Sequence, residues 1–199
     1  AQLVVVPDKV AKNSEEFLQL IRDENITVLN QTPGAFKALL DAQDGSSVDL
    51  RPGSLRQVIH SGEALDTSVL SRWHRVNPAH KAQLINMYGI TEITVVGTFH
   101  NVTENNIDIP PIGRPLPNTE IYILDDHQSL SPPGAIGEMY VGGSQVTRGY
   151  WKRADLTHER FLEIPIWNGH ETRLKRLYKS GDLGRWRDDG VLEYCGRND

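Results

Sequence analysis

The chain has 199 residues, 38% of them hydrophobic and 24% charged, with a net charge of −5. That balance fits a soluble globular protein with a sizeable core, and the acidic excess argues against non-specific binding to nucleic acid or an anionic membrane. One cysteine, Cys195, excludes an internal disulfide framework and fits a reducing, cytoplasmic setting, and no apolar run approaches membrane-spanning length.

In chain order, Leu3-Val4-Val5-Val6 reads as a short strand stopped by Pro7. A helix is predicted over Asn13–Asn25, with Asn13 as cap, Glu16 at the capping-box position, and Phe17, Leu20 and Ile21 on one face. Ile26–Leu29 is the next strand. Thr32 and Pro33 supply a cap and a first-turn proline for a helix burying Phe36, Leu39 and Leu40. Gly45–Pro52 reads as a polar loop and Leu55–Ile59 as a strand. Asp66 or Thr67 caps a helix with Val69, Leu70 and Trp73 inward, and Ala82–Ile85 is a fourth strand. This alternation predicts an α/β fold with a mostly parallel sheet over residues 1–100. Sites in such sheets gather beyond the carboxyl ends of the strands, here at Asn30-Gln31-Thr32, His60-Ser61-Gly62 and Asn86–Glu92.

Beyond residue 100 helical periodicity gives way to short β-rich runs punctuated by glycine and proline. Strands are expected at Glu120–Leu124, Glu138–Val141, Leu174–Tyr178 and Val191–Tyr194, with one helix at Ala154–Phe161. Residues 101–199 are therefore expected to form a small β-barrel-like half. The start at Ala1 without a methionine and the end at Asp199 suggest a piece of a longer chain.

Asn86-Met87-Tyr88-Gly89-Ile90-Thr91-Glu92 brings a ring, a hydroxyl and a carboxylate into five residues after a buried strand. The set suits a nucleotide: a ring stacks on a base, a hydroxyl meets a phosphate, and a carboxylate holds a hard cation. Locally it is equally a Tyr-Gly turn followed by a helix start. The seven histidines have no metal-ligand spacing, and His60 reads as a packed or pocket-edge residue. Arg173-Leu174-Lys175-Arg176 reads as a solvated edge in a loop-like region.

Three more stretches stand in order behind that heptad: Gly137–Gly143 running on to Thr147-Arg148-Gly149-Tyr150-Trp151, then Tyr178-Lys179-Ser180-Gly181-Asp182-Leu183, then Glu193-Tyr194-Cys195-Gly196-Arg197-Asn198-Asp199. Together the four resemble the core motifs of adenylate-forming enzymes, and above all the amino-acid adenylation domains of nonribosomal peptide synthetases. The resemblance spans essentially the whole chain. It implies the central part of a large N-terminal lobe that activates an amino acid with ATP and Mg²⁺, then passes it to the phosphopantetheine thiol of a peptidyl carrier protein.

Residue by residue, the resemblance implies that Tyr88 packs on adenine, Thr91 contacts the α-phosphate and Glu92 holds Mg²⁺. Asp182 grips the ribose, Tyr194 and Arg197 line the nucleotide site, and the Gly62-Glu63-Ala64 loop passes the adenine. Asp199 is the interlobe hinge. From local sequence alone Asp182 is a turn residue after Gly181, and Arg197 a surface ion-pair partner. The resemblance also places Asn30, Ile59, Ser61, Met87, Val95 and Val96 around the substrate side chain. None is charged, so a charged substrate side chain would be desolvated without a partner. A small or medium acid is expected, aliphatic or bearing one hydroxyl. Asn30, Ile59, Met87 and Val95 are similar to a threonine pattern from which Val96 departs.

The phosphate loop and the lobe with the catalytic lysine have no counterpart in these residues, so the 199-residue chain alone is expected to be inactive. Two other readings stand beside this one: part of an acyl- or aryl-CoA ligase, and a non-catalytic specificity or interaction module.

Overall fold

The computed structural model describes residues 2–45, 54–76, 82–103, 111–167 and 169–198. Most of the expected Gly45–Pro52 loop, and the expected hinge Asp199, lie outside them. The chain divides into two compact units, 1–86 with 101–110 and 87–100 with 111–199. The first division thus falls inside the Asn86–Glu92 heptad, between Asn86 and Met87.

In the first unit α1 (Asp8–Ala11) is a single turn, followed by α2 (Ser14–Asp23), β1 (Val28–Gln31), α3 (Pro33–Gly45), β2 (Gln57–His60), α4 (Thr67–Val76) and β3 (Gln83–Tyr88), which leads into the second unit. The caps fall where the side chains predict them. Asn13 accepts from the Glu15 and Glu16 amides, Thr32 Oγ1 from the Ala35 amide, and Asp66 Oδ1 from the Ser68 amide at 2.7 Å. The Leu3–Val6 run is not a strand. Leu3 and Val5 are exposed, and among the described residues the run pairs with no neighbour that could satisfy its backbone.

β1, β2 and β3 pair in parallel, which sorts their side chains into rows. Leu29, Val58 and Leu84 form one row and pack with Phe17, Leu18, Phe36, Leu39, Leu70 and Trp73 beneath the helices. Asn30, Ile59 and Ile85 form the next row, on the opposite face of the sheet.

His60 lies in the row after that and faces the helices, fully buried, its ring edge-on to Phe36. It is a packed residue. Nδ1 lies 3.3 Å from the Gln31 carbonyl oxygen, while the buried Nε2 has no hydrogen-bond partner. Burial pushes the imidazole down to about 4, against 6.5 unfolded; the Gln31 carbonyl opposes this only partly. The folded pKa lies below the unfolded one, so the unfolded state binds more protons between the two. Stability is therefore lost as pH falls from 6.5 towards 4, by up to ~3 kcal/mol. We expect His60→Leu to flatten that part of the pH–stability profile in urea unfolding. Parallel profiles for the two proteins would refute a neutral, buried His60.

The second unit holds β4 (Thr98–Val102) from Thr98 to His100, β5 (Arg114–Pro115), β6 (Thr119–Leu124), β7 (Gly137–Gly143), α5 (Ala154–Arg160), β8 (Phe161–Trp167), β9 (Thr172–Trp186) and β10 (Leu192–Arg197). β4 and β5 pair through Thr98–Pro115 and Phe99–Arg114. The remaining strands form an antiparallel sheet in the order β10-β9-β7-β6, with β8 also on β9. Among the described residues its end strands do not pair with each other, so the expected barrel is an open sheet. Ile121, Ile123, Met139 and Val141 pack on one side; Leu124, Tyr140 and Leu177 pack on the other with Ile164 and Ile166.

Phe161, expected to end the helix, instead begins β8. The Arg173–Arg176 segment is part of β9 rather than a loop, although Arg173, Leu174 and Arg176 are exposed. β7 occupies one edge of β9 from Tyr178 to Gly184; β8 and β10 share the other, β8 up to Tyr178 and β10 from Asp182. Lys179-Ser180-Gly181 is the changeover between them.

Candidate functional site

Asp182 lies at that changeover, inside β9 and not in a turn. Glu138 pairs with Leu183 while Tyr140 pairs with Lys179, so Ser180, Gly181 and Asp182 bulge opposite Met139. The bulge is held at three points. Ser180 Oγ donates to the Met139 carbonyl at 2.6 Å and accepts from the Asp182 amide, and the Gly181 amide donates to Glu138 Oε1. Gly181 adopts φ +77°, a conformation open to glycine.

The bulge turns a carboxylate inward. Asp182 is 3% exposed; Oδ2 accepts the Tyr88 hydroxyl at 2.5 Å, and Oδ1 accepts Arg197 Nη1 at 3.1 Å. Tyr194 stands beside them, its ring centroid 6.3 Å from that of Tyr88. Burial first, and then the bond to Asp182, push the Tyr88 phenol far above its ordinary value, so it stays protonated and donates. Arg197 is thus no ordinary surface ion pair, because its partner is buried. An ionised carboxylate only accepts, which is the role a sugar hydroxyl requires of its partner.

A second cluster surrounds Glu92. Thr91–Ile93 is one 3₁₀ turn in which Ile90, not Thr91, stands at the cap position, and Thr91 is exposed. Glu92 Oε1 accepts the Tyr150 hydroxyl at 2.5 Å, and the Tyr150 hydroxyl oxygen lies 3.2 Å from that of Tyr178. The Glu92 carbonyl accepts the Thr147 amide. Tyr150 and Tyr178 both pack on Phe161, and burial raises both phenols, Tyr178 far above its ordinary value. Tyr150 and Tyr178 lie in recognisable motifs, but nothing in the sequence alone assigns them to Glu92. Their meeting is a product of the sheet.

The other expected site residues distribute between the units. In the first, Ile59 and Ser61 are half-buried and Asn30 exposed. Gly62 adopts φ +86°, and the Glu63 carboxylate accepts the Gly34 amide at 3.0 Å, closing the first turn of α3. Ala64 is exposed. In the second, Met87 and Val96 are half-buried while Val95 is 70% exposed.

Residues 1–151, about three-quarters of the chain, match the family model described as AMP-binding enzyme. The chain belongs to the AMP-binding enzyme family. Among its relatives, a dimodular nonribosomal peptide synthase of Bacillus subtilis (strain 168) is 41% identical over 100% of this chain and 8% of its own length. Two solved structures are similar at 34% and 31% identity. One, a four-domain nonribosomal peptide synthetase bound to AMP and glycine, has a TM-score of 0.82 over 97% of this chain and 14% of its own. The other, a nonribosomal peptide synthetase protein containing adenylation and PCP domains and bound to a vinylsulfonamide inhibitor, has a TM-score of 0.81 over 94% and 31%. The chain therefore spans a small part of its relatives, and it has the α/β architecture of the solved structure that contains an adenylation domain. None of its helices, among the described residues, is long and apolar enough to cross a membrane.

Proposed function

We propose that the chain is the nucleotide-binding and acid-selecting part of an amino-acid adenylation domain of a cytoplasmic nonribosomal peptide synthetase. The observation that carries this is the meeting of Tyr88, Asp182 and Arg197, three residues from separate motifs, around one buried carboxylate. In this reading Asp182 accepts the ribose hydroxyls, Tyr88 and Tyr194 offer rings to adenine, and the Gly62-Glu63-Ala64 backbone passes its edge. Fixing the Glu63 side chain on α3 keeps that backbone in place.

The reaction joins an amino-acid carboxylate to the α-phosphorus of ATP, expelling pyrophosphate. Two anions must meet, so charge neutralisation and alignment dominate. In this reading Thr91 donates to the α-phosphate, and Arg197 adds positive charge. Glu92 would hold Mg²⁺, which neutralises polyphosphate charge when bound. A single carboxylate such as Glu92 has suitable chemistry, because Mg²⁺ commonly takes one or two carboxylates together with phosphates and water. Tyr150 fixes one Glu92 oxygen and leaves the other unclaimed by it. The acyl group then passes to a carrier-protein phosphopantetheine thiol, with Asp199 as the interlobe hinge.

Asn30, Ile59, Ser61, Met87, Val95 and Val96 select the acid. The test is to graft these 199 residues into a complete adenylation domain of different preference and measure amino-acid-dependent pyrophosphate exchange. Preference is expected to move to a small aliphatic or hydroxylated acid, while the isolated chain exchanges none. A chimera that binds ATP and keeps its old preference refutes the pocket assignment. One that folds without binding ATP refutes the nucleotide site.

A further inference from the structure

The turn carrying two of those six residues is held in an unfavourable shape. Thr94 and Val95 adopt φ +59° and +75°. Both are β-branched and consecutive in the left-handed region, which side chains of this shape seldom enter. Such a conformation persists only where its surroundings over-determine it.

The turn's own backbone bonds, from the Val95 amide to the Ile90 carbonyl and from the Gly97 amide to the Tyr88 carbonyl, tie its ends, and one residue from beyond β7 reaches its middle. Thr94 Oγ1 donates to the Gln145 carbonyl at 2.7 Å, and Gln145 Nε2 donates to the Val96 carbonyl at 3.2 Å. Gln145 Oε1 in turn accepts the Thr119 hydroxyl at the start of β6. The anchor of Gln145 is itself fixed. It follows Gly143, which ends β7 at φ +104°, where a side chain would strike the Asn118 carbonyl, and the Ser144 amide donates to that same oxygen. Gln145 thus bridges the rigid β6–β7 pair to both sides of the strained pair. Nothing in the motifs gives it a role.

We propose that Gln145 is a positioning residue for acid selection: it holds the Thr94–Val96 turn in the left-handed form that presents Val95 and Val96. The inference rests on the reading that those two valines face the acid. Without the Gln145 side chain the Val96 carbonyl loses its donor, only the Gln145 backbone carbonyl and the turn's own bonds remain, and Val95 and Val96 shift.

The test uses a complete adenylation domain carrying these residues, with substitutions Gln145→Ala and Gln145→Glu. The glutamate keeps size and acceptor but removes the N–H that reaches Val96. Both are expected to raise KM for the preferred amino acid about tenfold and broaden the acids accepted, with KM for ATP within about twofold. In a Thr94→Gly background, where the left-handed angle carries little strain, the Gln145→Ala effect should shrink. Equal loss for ATP and acid, or an unchanged preference, overturns the proposal in favour of a merely structural glutamine. Val95→Ala and Val96→Ala separate the two ideas. If they shift preference while Gln145→Ala does not, the pocket reading stands and this inference fails. If none of the three shifts it, both fail.

Discussion

Asp182→Asn is expected to raise KM for ATP about 100-fold in a complete adenylation domain, ~2.7 kcal/mol of lost binding, while KM for the amino acid changes little. The carboxylate serves as acceptor in every direction: one oxygen takes the Tyr88 phenol, the other the Arg197 guanidinium. An amide of the same shape accepts at one end only. Either Tyr88 or Arg197 then faces an N–H group, and under the proposed function the ribose loses a charged acceptor as well. Burial makes the mismatch expensive, because water cannot replace the missing partner at a side chain 3% exposed. Tyr88→Phe is the comparison. It removes one donor but keeps the ring, so if the ring serves adenine the loss should stay within about tenfold. Titration with a non-hydrolysable ATP analogue reads binding apart from chemistry. An Asp182→Asn protein that binds the analogue as tightly as the parent would remove Asp182 from the nucleotide site.

What local sequence conveyed and what it did not follow from how far each signal reaches. The Asn13, Thr32 and Asp66 caps were legible because a cap and the amides it serves lie within three residues. The inward residues of α4 were legible from helical spacing, and Val69, Leu70 and Trp73 are buried accordingly. Strands were harder. Leu3–Val6 is apolar, but an apolar run says nothing about having a neighbour. β8 was hidden by Pro165, which is tolerated because β8 lies at an edge and pairs with β9 alone among the described strands. Asp182 was the sharpest failure of local reading. Ser-Gly-Asp after a strand is ordinary turn chemistry, and only the Met139 carbonyl and Glu138 carboxylate, far away in the chain, make it a bulge. The family motifs did mark Tyr88, Asp182 and Arg197 as a set. Gln145 and the Glu92–Tyr150–Tyr178 cluster lay beyond both kinds of signal.

Gly89→Ala is expected to be among the most damaging single substitutions in the second unit. A Cβ there would stand 1.9 Å from the Val95 carbonyl oxygen and 2.6 Å from the Val96 Cα. Both are backbone atoms, so no rotamer change relieves the clash. The chain is also tied at this point: the Gly97 amide donates to the Tyr88 carbonyl at 2.8 Å and the Val95 amide to the Ile90 carbonyl. Restoring ordinary contact requires the 94–96 turn to move by roughly an ångström, and a misplacement of that size can cost ~10²-fold in rate. Overpacking of this kind costs about 1–3 kcal/mol even where side chains can yield, and more where they cannot. Gly134→Ala serves as the control. Gly134 adopts φ +84° with nothing within 4 Å of an added Cβ, so it suffers backbone strain alone, about 1 kcal/mol. Denaturant unfolding and pyrophosphate exchange on both variants should rank them far apart. If Gly89→Ala proves no worse than Gly134→Ala, the 94–96 turn can yield without loss, and neither it nor the valines it carries are held as tightly as the packing requires.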